Sequence, residues 1–341
     1  MNRRDFLYAT GTTLALSSKL AFAEEATKPY VMTVNGTLAA DELGTTLPHE
    51  HVMVDFVGAG EVSPDRYDTD DVFRRVLPYL KEAKAAGCDA FFDCAPAYLG
   101  RDPKLLKRFA DASGLHMITN TGYYGAGKGK YLPMHAFKET ADQLTARWTK
   151  EWTNGIDGTG IKPGFIKIGV DKGELTPVNR KLIEAGARCH LKTGLTIASH
   201  TGDGVAAMDQ LEVLKKEGVS PSAWIWVHAQ NEADVEFQKR VAQTGAWIEL
   251  DGLSNQEESI KKHVALVKSL RDAGSLERVL LSHDAGWYTV GQIRGGEVRG
   301  YTTLSKQFVP ALKDAGFEDA EVRQLTVTNP AKAFAIGIRK A

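Results

Sequence analysis

Short apolar runs alternate along this chain with longer stretches in which apolar residues return every three or four positions. The short runs are Leu47–Val54, Ala90–Cys94, His116–Thr121, Phe165–Val170, Thr196–His200, Trp224–His228, Ala246–Leu250 and Val279–His283. Each spans about five to eight residues rich in Val, Ile, Phe, Trp or Thr, the composition of a strand buried on both faces. Between them the helical pattern covers Asp70–Ala86, Pro103–Ala112, Ala136–Trp152, Pro177–Thr193, Gly204–Glu217, Glu232–Thr244 and Glu257–Ala273. Several of these stretches begin at Asp, Pro or Thr and end near Gly, as helix capping requires. Ahead of them Tyr30–Ala39 reads as a small hairpin, with Asn35-Gly36 supplying the positive φ angles of a two-residue turn.

Eight strand runs separated by helical stretches predict an α/β protein, a (β/α)8 TIM barrel with a short N-terminal β-hairpin. An open doubly wound sheet would carry a Gly-rich phosphate turn after its first strand, and none is present. No linker, low-complexity tract or charge run divides residues 24–341, which read as a single domain.

Charge changes the picture only by exclusion. With 42 Lys and Arg against 43 Asp and Glu, nothing suggests a nucleic-acid or anionic-membrane partner. Cys88, Cys94 and Cys189 make an odd set without metal-ligand spacing and read as buried free thiols. Residues 1–23 stand apart. Arg3-Arg4 precede a weakly apolar stretch that ends at Ala21-Phe22-Ala23, the form of a twin-arginine signal peptide with an A-x-A cleavage site. A periplasmic or secreted protein is expected, with no membrane association after cleavage, because the segment is too short and polar to anchor. The competing reading is a mildly apolar helix of a cytosolic protein.

Candidate chemistry gathers at the C-terminal strand ends, where barrels carry their function. In a strand, residues i and i+2 face the same way, so His49 and His51 present two imidazoles to one side. His200, His228 and Asp284 end three further strands. Imidazoles with nearby carboxylates suit Zn2+ and similar divalent ions. Lys167 lies inside an apolar strand, where desolvation favours the neutral amine. A neutral amine reacts with carbon dioxide to give a carbamate. Pairing with a neighbouring acid is the plainer alternative.

These motifs resemble the phosphotriesterase family of the amidohydrolase superfamily, in its phosphotriesterase-like/lactonase branch. The resemblance rests on Thr46-Leu47-Pro48-His49-Glu50-His51, Gly164-Phe165-Ile166-Lys167, Ser199-His200-Thr201, His228 and Leu281-Ser282-His283-Asp284, and runs from about Thr33 to Lys332. It implies a binuclear centre holding two divalent metal ions, Zn2+ ahead of Mn2+, Co2+ or Fe2+. His49, His51 and Asp284 would hold the more buried ion and His200 and His228 the other. A hydroxide and Lys167, carbamylated as N6-carboxylysine, would bridge them. Asp284 would be the catalytic proton acceptor, and His283 would point away and be structural.

Substrate choice is less constrained. Phosphotriesterases proper carry an Asp and a His where this chain has Asn231 and Gly252, and the quorum-type lactonases carry an Arg at the Gly252 position. Tyr123, Tyr124, Asp251, Trp287, Tyr288, Lys128, Lys130, Arg294 and Arg299 remain as pocket candidates. Tyr124, Asp251, Trp287 and Arg294 are the ones expected to bind substrate, an arginine at the metals favouring an anionic or hydroxylated lactone. The leading expectation is hydrolysis of a small lactone or related carboxylic ester with secondary phosphotriesterase activity, in a homodimer of the kind common in the family. A true phosphotriesterase is the runner-up. A mononuclear deaminase or amidohydrolase, and a non-catalytic secreted binding protein, are the alternatives from other classes.

Overall fold

A computed structural model describes residues 28–341, and the expected leader at 1–23 lies outside the described residues. The barrel is built from β3 (Thr46–Val54), β4 (Ala90–Asp93), β5 (His116–Ile118) with β6 (Asn120–Thr121), β7 (Phe165–Val170), β8 (Ile197–Thr201), β9 (Trp224–Val227), β10 (Trp247–Leu250) and β11 (Val279–Leu281) with β12 (Gly286–Thr289). β5 and β6 are two pieces of one barrel strand, interrupted at Thr119, and join a six-stranded run, β6 to β11, to a four-stranded run, β12-β3-β4-β5. Pairing is parallel throughout. The remaining seam closes where Asp284 N–H donates to His49 O at 3.0 Å and His51 N–H to Ala285 O at 3.0 Å. Antiparallel β1 (Tyr30–Thr33) and β2 (Gly36–Ala39) form the hairpin ahead of the barrel.

The helices are α1 (Thr69–Ala85), α2 (Pro103–Ser113), α3 (Met134–Lys138), α4 (Ala141–Asn154), α5 (Pro177–Thr193), α6 (Gly204–Lys216), α7 (Val235–Gln243), α8 (Glu257–Asp272), α9 (Val309–Asp314), α10 (Asp319–Arg323) and α11 (Asn329–Phe334). Their caps are those the sequence advertises: Asp68, Asp102, Thr176 and Asp203 each accept from a first-turn N–H. None of the described helices is long and apolar enough to cross a membrane.

Alternation along the strands sorts the core into two layers. Ile166 and Ile168 pack outward against the helices, whereas Phe165 faces the barrel axis, and Lys167 shares its parity. Phe92, Phe165 and Phe334 of α11 pack with tilted or edge-on rings inside the barrel, at 4.1–5.6 Å between centroids, and fill it below the site. In β3, Leu47 joins the outer layer, and a register shift between Leu47 and Glu50 lets His49 and His51 face inward.

Three expectations shift at element boundaries. The hairpin pairs Thr33 with Gly36, so its turn is Val34-Asn35 and only Gly36, at φ 113°, has the positive angle. The expected helix at Ala136–Trp152 is two helices. Thr140 forms a capping box with Gln143 that starts α4 afresh, while Lys181 takes the carbonyls of Phe137 and Glu139 left over at the end of α3. Helix α7 begins at Val235 rather than Glu232, because the Glu232 carboxylate is spent on Gly204 N–H and Asp234 N–H.

Candidate active site

The sequence-derived ligand residues meet on the wall of one cavity of about 100 Å3 at the C-terminal ends of the strands. His49 and His51 enter from β3, Lys167 from β7, His200 from β8, His228 from just past β9 and Asp284 from between β11 and β12. Imidazole centroids are separated by 5.5 Å (His49–His51), 4.9 Å (His49–His228) and 4.5 Å (His200–His228). Asp284 Oδ1 lies 3.1 Å from His51 Nε2 and 3.8 Å from His49 Nε2. His228 and Asp284 hold φ at 65° and 49°, left-handed values that non-glycine residues adopt at a cost and that recur at functional sites.

The donor set fits divalent cations. Ligating atoms of His49, His228 and Asp284 lie within 4.8 Å of one another. The Lys167 side-chain nitrogen and His51 Nδ1 are buried with no hydrogen-bond partner, whereas buried polar atoms are normally satisfied. Lys167 is only 2% exposed, and among the described residues no carboxylate pairs with it. The acid partner that would have made it a plain buried ion pair is therefore missing.

Behind the histidines sits a layer of carboxylates. Asp251 Oδ2 lies 2.9 Å from His49 Nδ1, and its Oδ1 lies 2.7 Å from His228 Nδ1. Glu249 Oε2 adds a second acceptor for His49 Nδ1 at 3.1 Å. Such partners fix the Nδ1–H tautomer and turn Nε2 of both rings toward the cavity. Burial works against the Asp251 carboxylate, but the charges of His228 and His49 outweigh it and hold Asp251 well below the usual range. For Asp284 burial is likewise outweighed, by His51 beside it and by His49 and His228, and its carboxyl stays ionised. Burial, then the neighbouring His228, pushes His200 well below the usual imidazole value, so it is neutral as a metal ligand must be.

Glu50 faces away from the cavity and shapes it from behind. Its carboxylate accepts from Ser282 Oγ (2.8 Å), His283 N (3.0 Å), His283 Nδ1 (2.6 Å) and Ala285 N (2.9 Å), which fastens the segment presenting Asp284. His283 Nε2 accepts from Leu304 N at 2.9 Å, so His283 is structural, as expected. Nothing in the local sequence marks Glu50 for this role. Glu249 had a readable signal, since it shares strand parity with Asp251.

The expected substrate residues divide. Tyr124 and Trp287 line the cavity; the Tyr124 hydroxyl lies 3.0 Å from His200 Nδ1, and burial keeps it protonated. Asp251 does not reach the cavity: it is fully buried beneath His49 and His228 and serves them instead. Arg294 is also displaced, sitting exposed on the Ile293–Gly295 turn away from the cavity wall. Arg299 does not line the cavity either, but it contacts two residues that do, donating to the main-chain oxygen of Asp284 and lying 5.4 Å from the Trp287 ring centroid. Tyr123 packs instead on Trp148 and bonds His135 at 3.0 Å. At Gly252 a Cβ would come within 2.8 Å of Gln230 Nε2, so the Gln230 side chain fills the space a residue there would enter. Lys130 donates to Phe56 O at 2.7 Å. A larger cleft of about 680 Å3 is lined by Tyr67, Arg101, Arg147 and Glu151 among others, with Arg101 bonded to Glu151 and Arg147 to Glu139.

Residues 29–334 match the sequence profile of the phosphotriesterase family. A phosphotriesterase homology protein of Escherichia coli K12 is 28% identical over 299 residues, covering 87% of this chain and 100% of that protein. An aryldialkylphosphatase of Saccharolobus solfataricus is 25% identical over 308 residues, covering 87% and 97%. The solved structure of an organophosphorus hydrolase from Deinococcus radiodurans superposes with a TM-score of 0.80 at 27% identity, covering 90% of this chain and 97% of that one. With the barrel, the order of its motifs and nearly all of the described chain in agreement, this chain belongs to the phosphotriesterase family.

Proposed function

We propose that this chain is a binuclear-metal hydrolase that cleaves a small lactone or related carboxylic ester, with phosphotriester hydrolysis as a secondary activity. The observation that carries the metal half is the cluster itself: imidazoles, a carboxylate and a buried, partnerless Lys167 amine facing one cavity. His49, His51 and Asp284 would hold one ion, His200 and His228 the other, and Lys167 as its carbamate would join both. When bound, two divalent ions acidify a water molecule and polarise an acyl oxygen.

The chain's own residues do the rest. Asp251 and Glu249 keep His49 in the tautomer that offers Nε2 to the cavity, and Asp251 does the same for His228. Asp284, ionised and fastened through Glu50, accepts a proton at Oδ1 and returns it to the departing oxygen. Phe56, Tyr124, Tyr131 and Trp287 form an aromatic collar, with neighbouring centroids 5.4–6.0 Å apart, that excludes water from the mouth.

The substrate half rests on Asn231 and Gly252, which stand where phosphotriesterases proper carry an Asp and a His, and on the Gln230 side chain that fills the space beside Gly252. Metal analysis tests the first half, with two equivalents per chain and extra mass on Lys167 expected. One equivalent and an unmodified lysine would instead favour the mononuclear amidohydrolase. Specificity constants for a lactone panel against paraoxon test the second half, and a large preference for paraoxon would make phosphotriester hydrolysis the primary activity. We further propose that the enzyme is exported after folding, on the strength of the Arg3-Arg4 leader.

A further inference from the structure

We propose that Arg299, seated against Trp287 of the cavity wall, binds an anionic group at the far end of the substrate. The native substrate is then an ester or lactone whose acyl chain carries a carboxylate or sulfonate. This rests on the ester-hydrolase reading above and narrows it.

Three observations converge. First, Arg299 is exposed and, among the described residues, no acidic side chain lies within ion-pair distance of it. Its guanidinium is held in place without being neutralised, through a neutral carbonyl (that of Asp284) and the face of Trp287 at 5.4 Å. A guanidinium has five N–H groups in a planar fork, so most of them remain free for a bidentate oxyanion.

Second, Trp287 is built for something other than packing. A bulky aromatic at φ 68° is a backbone outlier, and its indole nitrogen is buried with no partner. The ring nevertheless lines the metal-side cavity, its edge toward His51 at 5.7 Å between centroids. It therefore spans the space between the reacting end and the arginine. Third, the segment carrying both residues is pinned. Gly286 at φ 88° pairs with His51, where a Cβ would lie 1.9 Å from His51 O, and Gly286 and Arg299 exchange main-chain hydrogen bonds at 3.1 and 2.9 Å. The cation is thus fixed at a set distance from the metal ligands rather than carried on a free loop.

The test uses the metal-loaded protein and compounds that differ only at the far end. Calorimetry would compare glutarate and 4-sulfobutanoate with glutaramate, in which the distal charge is an amide. Kinetics would compare the mono-4-nitrophenyl ester of glutarate with its glutaramate counterpart. The charged member is expected to bind about tenfold or more tightly. That ratio should fall to about two or less in Arg299→Met, be partly kept in Arg299→Lys, and be unchanged in Arg294→Met. Preference for the carboxylate over the sulfonate, or the reverse, names the native oxyanion. A wild-type ratio near one, or a ratio untouched by Arg299→Met while Arg299→Lys remains folded, would overturn the proposal. If neither ester turns over, the hydrolase reading fails, yet the binding ratio still decides the role of Arg299.

Discussion

Glu50 is the residue whose replacement should separate the shape of the site from its chemistry. Its carboxylate meets four donors from Ser282, His283 and Ala285, so Glu50→Gln forces an amide N–H against one of them. We expect a loss of roughly 1–3 kcal/mol of stability, read from urea midpoints, with a fall in kcat because Asp284 loses its support. An unchanged kcat at reduced stability would confine Glu50 to the fold. Asp251→Asn probes the histidines instead, leaving His228 Nδ1–H without a charged acceptor and His49 Nδ1–H with Glu249 alone; metal affinity in a chelator competition should fall about 10–100-fold. The contrast shows what sequence makes visible at this scale. His49, His51, Lys167, His200, His228 and Asp284 stand at strand ends and carry metal-ligand chemistry, so position and type agree. Glu50 and Asp251 act on partners 232 and 23 residues away, and nothing local announces that contact. Arg294 and Arg299 were equivalent in sequence because only the path of the loop decides which one reaches Trp287.

Elements were legible where a side chain caps them and illegible where a distant group ends them. Asp68 and Thr176 mark helix starts by their own hydrogen bonds, whereas the break after α3 depends on Lys181 arriving from α5. β12 escaped because Gly286-Trp287-Tyr288-Thr289 follows the eighth barrel run without a turn signal, although it completes the pairing to β3. Gly286→Ala should undo that completion. The added methyl meets His51 O and the Tyr301 hydroxyl at a φ hostile to alanine, so we expect a loss of roughly 2–4 kcal/mol, with weakened metal binding, in denaturation and metal-titration series. The chain end offers a pH test. His190 in α5 donates through Nδ1 to Leu195 O and accepts Arg339 N–H at Nε2, 2.9 Å each, and burial lowers its pKa. As the pH falls below about 6.5 the unfolded chain takes up the proton first, so stability present at neutral pH is lost on acidification. His190→Gln should be less stable at neutral pH and should lose less between about pH 7 and 5. Parallel pH profiles for the two proteins would dismiss this contribution.

At the scale of the whole molecule, the repeating strand–helix period was enough for the barrel, because each strand must be buried on both faces and each helix on one. It was not enough for substrate, which depends on loops whose course no periodicity sets. The metal cluster also joins strands across the whole barrel, so its occupancy should be felt globally. Removing metal with a chelator is expected to lower the unfolding midpoint, by the equivalent of about 4 kcal/mol if free metal had stood a thousandfold above its dissociation constant, and re-addition should restore it. A protein that binds metal in this way would gain from folding before it meets a compartment where metal supply differs. Arg3-Arg4 at the head of a weak apolar segment fits a route that carries folded cargo. Replacing both with Lys keeps the charge and the hydropathy of the leader, so a general secretory signal would still work. A twin-arginine signal would not. The double Arg3→Lys, Arg4→Lys variant should accumulate in the cytoplasm at precursor mass, metal-loaded and active, while the parent is recovered from the periplasm cleaved after Ala23. Equal export of both forms would show that the paired arginines are not the address.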